Sequence, residues 1–119
     1  LMVAPPSVGL EGPRWLLSEM DGAGLPGGRT RRPYLEFDPK TGRFGSMSGI
    51  NQLSGTYTVS GTTLAMKPGP STLMAGPQED MDRERRFVQT LARVNRFEVK
   101  GNVLHLYAGS TLVMKFERG

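Results

Sequence analysis

The chain contains no cysteine among its 119 residues and only one histidine. The first absence excludes a disulfide framework, a thiolate-held metal and a cysteine nucleophile. The second leaves a spacing-based zinc site without its usual ligands. No apolar run approaches the ~18 residues that a membrane-spanning helix needs. Aromatic residues make up 8%, with a single tryptophan, so the stacking platforms that nucleic acid would use are scarce. Nucleic acid, metal and cofactor are therefore not expected partners.

Glycine and proline are abundant instead, at 16 and 9. They fall between short apolar runs, as turns fall between strands. An apolar fraction of 37% suffices for one packed core at a length that suits a single domain. The net charge of +4 comes from scattered arginines that do not alternate with aromatics, and it reads as ordinary surface charge. Residues 1–12 lack periodicity and are expected to be a linker or disordered segment, with the domain proper at 13–119. The start has neither the basic region nor the apolar core of a signal peptide. A chain that opens on leucine is expected to be a piece of a longer one.

Residues 14–20 read as the first strand, with Trp15 as a core anchor. Residues 21–33 read as a loop. Residues 34–38 and 43–50 form a hairpin about the turn Asp38-Pro39-Lys40-Thr41-Gly42. A second hairpin covers 55–60 and 62–67, and Pro68-Gly69-Pro70 is expected to end it. Residues 77–95 are the one clear helix. Met81, Glu84, Phe87, Val88, Leu91 and Val94 stand in register along a single stripe, and Glu79–Arg83 and Asp82–Arg86 are spaced to pair. The tail is a meander of 96–100, 103–107 and 111–117, the last strand turning Leu112, Met114 and Phe116 inward. Strands, helix, then strands, with no βαβ rhythm, predicts an α+β domain. Its sheet is curled, mostly antiparallel and cracked-barrel-like, with about eight short strands packed on one main helix.

Candidate chemistry is sparse. Gly22-x-Gly24-x-x-Gly27 has the letters of a dinucleotide fingerprint, but Pro26 interrupts it and no helix follows to hold a pyrophosphate. Arg29, Arg31 and Arg32 make the same loop the most basic stretch and the candidate anion contact. His105 is expected on the exposed face of a strand. No serine stands in a Gly-x-Ser-x-Gly elbow. No catalytic residue is assigned, and a non-enzymatic protein is expected. Seven methionines suit irregular apolar space. If Met20, Met47, Met66, Met74 and Met114 converge, they either fill a core or line a groove for a lipophilic ligand.

Two short motifs carry a resemblance. One is Gly49-Ile50-Asn51-Gln52-Leu53-Ser54-Gly55-Thr56-Tyr57, and the other is Thr72-Leu73-Met74-Ala75-Gly76, leading into the helix. With Trp15-Leu16-Leu17 and Leu35-Glu36-Phe37-Asp38 upstream, the pattern resembles the META domain, or HslJ-like, family from Arg14 to Phe116. The resemblance implies a bacterial periplasmic, envelope or secreted protein, lipid-anchored through an upstream segment in the envelope case. It implies a structural or interaction module linked to heat shock, stress or novobiocin-type antibiotic tolerance. The alternative is a carrier of a lipophilic small molecule or acyl chain in the curled sheet. The expected partner is an envelope protein or such a ligand, and a monomer is expected. Gly49, Ile50, Asn51, Gly55, Tyr57, Thr72, Met74 and Gly76 are the motif residues, with structural roles. Asn51 is expected to tie down its turn, and Thr72 to support the loop before the helix. Ile50 and Gly76 stand where the family often has cysteines. The resemblance therefore implies that these two positions lie within disulfide distance, under ~7 Å between Cα atoms.

Overall fold

The computed structural model describes residues 9–24, 32–48, 50–72 and 74–119. The strands are β1 (Trp15–Met20), β2 (Ala23–Gly24), β3 (Tyr34–Asp38), β4 (Arg43–Met47), β5 (Gln52–Ser60), β6 (Thr63–Ser71), β7 (Arg96–Lys100), β8 (Val103–Ala108) and β9 (Thr111–Arg118). The helix α1 (Gln78–Arg93) lies between β6 and β7 in the chain. The strands form a single sheet in the order β2-β1-β3-β4-β5-β6-β7-β8-β9, and β1 also pairs with β9. That pairing closes the sheet into a ring. The ring is cracked between β6 and β7, where Thr63↔Arg96 is the one register pair. All pairings are antiparallel, as expected for strands joined by tight turns.

Alternation sets the core. Leu35 and Phe37 of β3, Leu53 and Tyr57 of β5, and Leu104 and Leu106 of β8 point into the ring. The helix adds Phe87 and Leu91 from its apolar stripe, and Phe87 meets Phe116 edge-on with ring centroids 6.4 Å apart. Thr90 is buried on the same face and satisfies its hydroxyl by donating to Arg86 O at 2.7 Å. The helix surface pairs are Asp80–Arg83 and Asp82–Arg85, both i,i+3 and both at 3.1 Å. They replace the i,i+4 pairs read from the sequence.

Four local readings are corrected. Pro68-Gly69-Pro70 does not end β6, which continues to Ser71. Leu53 pairs with Ser71 and Gly55 with Pro68, so β6 carries one extra residue there as a bulge. Past its pair at Thr63, β6 has no register partner in β7, and proline is tolerated on such an edge because its missing N–H leaves no ladder bond unmade. The loop after β1 contains the short strand β2. Asp21 and Gly22 both have positive φ, +52° and +81°, the backbone of a two-residue hairpin turn. In β9, Leu106 pairs with Met114 and Tyr107 with Leu112, which leaves Val113 as the extra residue. Val113 turns into the core, and Leu112 stays half-buried.

The fourth correction concerns the N-terminal segment. Residues 9–12 belong to the domain and are not linker. Leu10 is fully buried, and its carbonyl accepts the Trp15 Nε1–H at 2.9 Å. Glu11 accepts a hydrogen bond from the Tyr57 hydroxyl, and Gly12 N–H donates to Phe37 O at 3.4 Å. Burial, the Glu11 hydrogen bond and the nearby charges of Glu11 and Asp38 all push the Tyr57 phenol well above its ordinary range. Tyr57 thus holds its proton more tightly folded than unfolded. Its contribution to stability is complete below the unfolded value of about pH 10 and is lost as pH rises beyond it. Alkaline denaturation followed above that pH should show this loss in the native sequence and not in Tyr57→Phe.

Candidate functional site

The two sequence motifs meet at one end of the ring, where the β4–β5 turn, the loop after β6 and the first half of α1 converge. Asn51 is the centre of the cluster and is buried. Its carboxamide oxygen accepts from Thr72 Oγ1 at 2.8 Å and from the Met74 backbone N–H at 2.7 Å. Its nitrogen donates to Met74 O at 3.2 Å and to Glu84 Oε2 at 2.9 Å. A carboxamide has two donors and two acceptor sites, and all four are used here. The orientation of the amide is unambiguous, because a backbone N–H can only donate and a backbone carbonyl can only accept.

Glu84 completes the cluster from the helix. Its Oε1 accepts the Asn51 backbone N–H at 3.1 Å and the Ser48 hydroxyl. Ser48 N–H donates to Asn51 O at 3.0 Å and closes the turn. Thr72 is bound in both directions, accepting Gln52 N–H on its hydroxyl at 3.1 Å and donating its own N–H to Gln52 O at 3.0 Å. Buried polar groups carry a heavy desolvation cost unless paired, and here each finds its partner inside the cluster.

The clamp leaves Met74 fixed at both backbone groups while the residue is 61% exposed. It is the one large hydrophobic residue exposed among those described. Beside it, the Ile50 side chain lies over Gly76. A Cβ built on Gly76 would stand 2.8 Å from Ile50 Cδ1 and 3.3 Å from Cγ1. The isoleucine fills the space that a side chain at 76 would occupy. With cysteine at both positions (Ile50→Cys, Gly76→Cys), a disulfide should form on oxidation. Loss of free thiol and a midpoint shift in urea should report a gain of ~3 kcal/mol.

The other sequence candidates divide. Asn51, Thr72, Met74, Ile50 and Gly76 come together. Tyr57 and Gly55 lie further along β5, inside the ring, and serve its packing. Gly49, Arg29 and Arg31 fall outside the described residues, as does Gly27 of the glycine pattern. Arg32 is engaged: its guanidinium donates to Leu17 O at 3.0 Å and pairs with Glu117 at 3.0 Å, joining the loop to β1 and β9. His105 is half-buried rather than exposed, and its Nδ1 finds no hydrogen-bond partner. It faces Glu98 across β7 and Lys115 across β9, and no group of three metal-ligating side chains occurs among the described residues. Arg96 and Lys100 hold Glu98 below the usual carboxylate range through hydrogen bonds. Sequence reasoning missed Ser48 and Glu84 as members of the clamp. The signal for Glu84 was its place on the apolar stripe of α1, since a carboxylate on a buried face requires partners.

Met20, Met66 and Met114 are core residues, and Met47 is buried as well. Depressions among the described residues open over β1, β3, β4 and β5, and a smaller one lies between β1 and β9 beside Glu19 and Leu112. One of about 560 Å³ is lined in part by Tyr34, Glu36, Arg43, Gly45 and Ser54.

A ring of antiparallel strands, cracked at one seam and clamped to the one described helix through two sequence motifs, is an α+β curled-sheet architecture. The META domain model matches residues 8–118, and the chain belongs to that family. A protein from Burkholderia xenovorans, solved by NMR, superposes with a TM-score of 0.75 at 21% identity, covering 100% of this chain and 94% of that one. A second NMR structure gives 0.69 at 17% identity, with 98% and 95% covered. A crystal structure of a DUF4847 family protein from Bacteroides vulgatus gives 0.57 at 18% identity, covering 71% of this chain and 57% of that one. At these identities the likeness is one of fold. No curated protein matches the sequence. No described helix is long and apolar enough to cross a membrane.

Proposed function

We propose that this META domain is a non-enzymatic interaction module that presents the loop of residues 74–77 to a protein partner. One observation carries the reading: Asn51 pins both backbone groups of Met74 while its side chain stands in solvent. Ordering a loop before it binds lowers the entropy lost on association. An unbranched thioether adapts to varied apolar pockets. The family setting suggests an envelope or periplasmic partner and a part in stress or antibiotic tolerance. Ser48 is buried and its hydroxyl donates within the clamp to Glu84, which supports a structural role for it.

The carrier alternative is less well supported, because the methionines that would line an interior groove are packed into the core. A photo-crosslinking residue at Ala75, compared with one at exposed Thr58 on β5, tests the interaction reading in cells. A discrete adduct from position 75 alone is expected, lost in Met74→Gln. Equal labelling from both positions would sink the reading.

A further inference from the structure

We propose that Met74 is a modification site: hydroperoxides oxidise it to the sulfoxide, which reverses the polarity of the presented loop without unfolding the domain. The chemistry stands on the geometry of Met74. Its consequence for a partner rests on the interaction reading above.

Methionine oxidation is a two-electron reaction at sulfur. A sulfur lone pair attacks one peroxide oxygen, an S–O bond forms and the O–O bond breaks. The other oxygen leaves as water or an alcohol after taking up a proton. The sulfur is oxidised and the peroxide reduced, with no further reactant needed. Access of the oxidant to sulfur decides which methionine reacts.

The fold sorts its described methionines sharply. Met20, Met47, Met66 and Met114 are buried and Met81 is half-buried, whereas Met74 is 61% exposed. The clamp makes that difference durable. An unrestrained surface methionine can move with its backbone and cover its sulfur against nearby apolar surface. Met74 cannot shift its backbone without breaking two hydrogen bonds to Asn51. Asn51 has no donor left to draw a sulfoxide inward, since both N–H groups are committed to Met74 O and Glu84. The new oxygen therefore stays hydrated at the tip of the loop, and nothing in the clamp passes through the thioether. A sulfoxide at Met20, Met66 or Met114 would instead place a polar group in the core, where it costs the fold. Oxidation at position 74 exchanges an adaptable apolar contact for a polar one, and methionine sulfoxide reductases can restore it.

The test treats the full chain with graded hydrogen peroxide and follows each methionine by peptide mass mapping. Met74 should gain one oxygen on the order of ten-fold or more faster than Met20, Met66 and Met114, whose reaction must wait for opening of the fold. In denaturant the rates should converge. Protein oxidised once at Met74 should keep its circular dichroism and melting profile, sulfoxide reductase should return the original mass of that peptide, and Met74→Leu should lose the fast phase mapped to it. Reaction of Met74 at the rate of the core methionines would overturn the proposal, as would unfolding with the first oxygen. Repeating the position-75 crosslink on oxidised protein tests the switch itself: a lost adduct supports it and an unchanged adduct overturns it. An adduct missing before oxidation sinks only the interaction reading, because the oxidation rates are measured with no partner present.

Discussion

Replacing Gly55 by alanine should cost ~3 kcal/mol or more. A Cβ at this position would stand 2.1 Å from Lys67 O and 2.7 Å from the Phe44 ring. The oxygen belongs to the backbone of β6 at Lys67, which pairs with Thr56 just before the bulge, so it cannot move without disturbing the β5–β6 ladder. Phe44 is almost fully buried and touches Phe37 in the core, so it has little room to turn. The glycine is required by close approach, with no left-handed backbone involved. Equilibrium urea denaturation should show the lost midpoint with an unchanged slope if the variant still folds cooperatively. A midpoint near that of the native sequence would mean that β6 can shift away, and that the bulge is softer than its packing indicates. Alanine at Gly45, where an added Cβ meets open space, is the control and should be close to neutral.

The second large effect should come from Asn51→Ala. The substitution deletes four side-chain hydrogen bonds together and leaves Glu84 Oε2, Thr72 Oγ1 and both backbone groups of Met74 without those partners. Groups that lose a partner while buried keep their desolvation cost, and a loss of ~2–4 kcal/mol is expected, reduced wherever water reaches the exposed loop. The effect should be local in hydrogen exchange. The amides of Asn51 and Met74 and the first turns of α1 should lose protection, while β8 and β9 keep theirs. Glu84→Gln tests the same cluster from the helix side. It retains an oxygen but brings an N–H toward donors, so a smaller but clear loss should follow. Full stability in Asn51→Ala would show that the loop holds its shape without the clamp, and the pre-ordering argument for Met74 would fail with it.

Much of the architecture was legible in the chain. The turn at Asp38-Pro39-Lys40-Thr41-Gly42, the hairpin of 96–100 and 103–107 and the alternation in β3, β5 and β8 depend on neighbours in sequence, and they stand where local rules place them. The single helix and its apolar stripe follow in the same way. Readings that depended on distant partners fared differently. Pro68 and Pro70 look like strand breakers until the unpaired edge of β6 is known. Leu10 looks like linker because nothing local shows that Trp15 and the end of the core are waiting for it. Val113 enters the core through a bulge that only the pairing of β8 with β9 creates.

The site divides along the same line. The two motifs drew attention to Asn51, Thr72 and Met74, and the resemblance placed Ile50 near Gly76. Ser48 and Glu84 were left out because a hydrogen-bond partner 33 to 36 residues away leaves no trace in spacing. The sequence by itself determined the class: short strands, tight turns, one helix and no cysteine chemistry. Those features rest on backbone propensity and periodic burial, which are properties of a few consecutive residues. The tertiary structure alone decided which polar groups are buried together, which methionine is left in solvent and which arginine is already paired. Each of these depends on desolvation and distance between residues far apart in the chain, and such quantities have no value until the ring has closed.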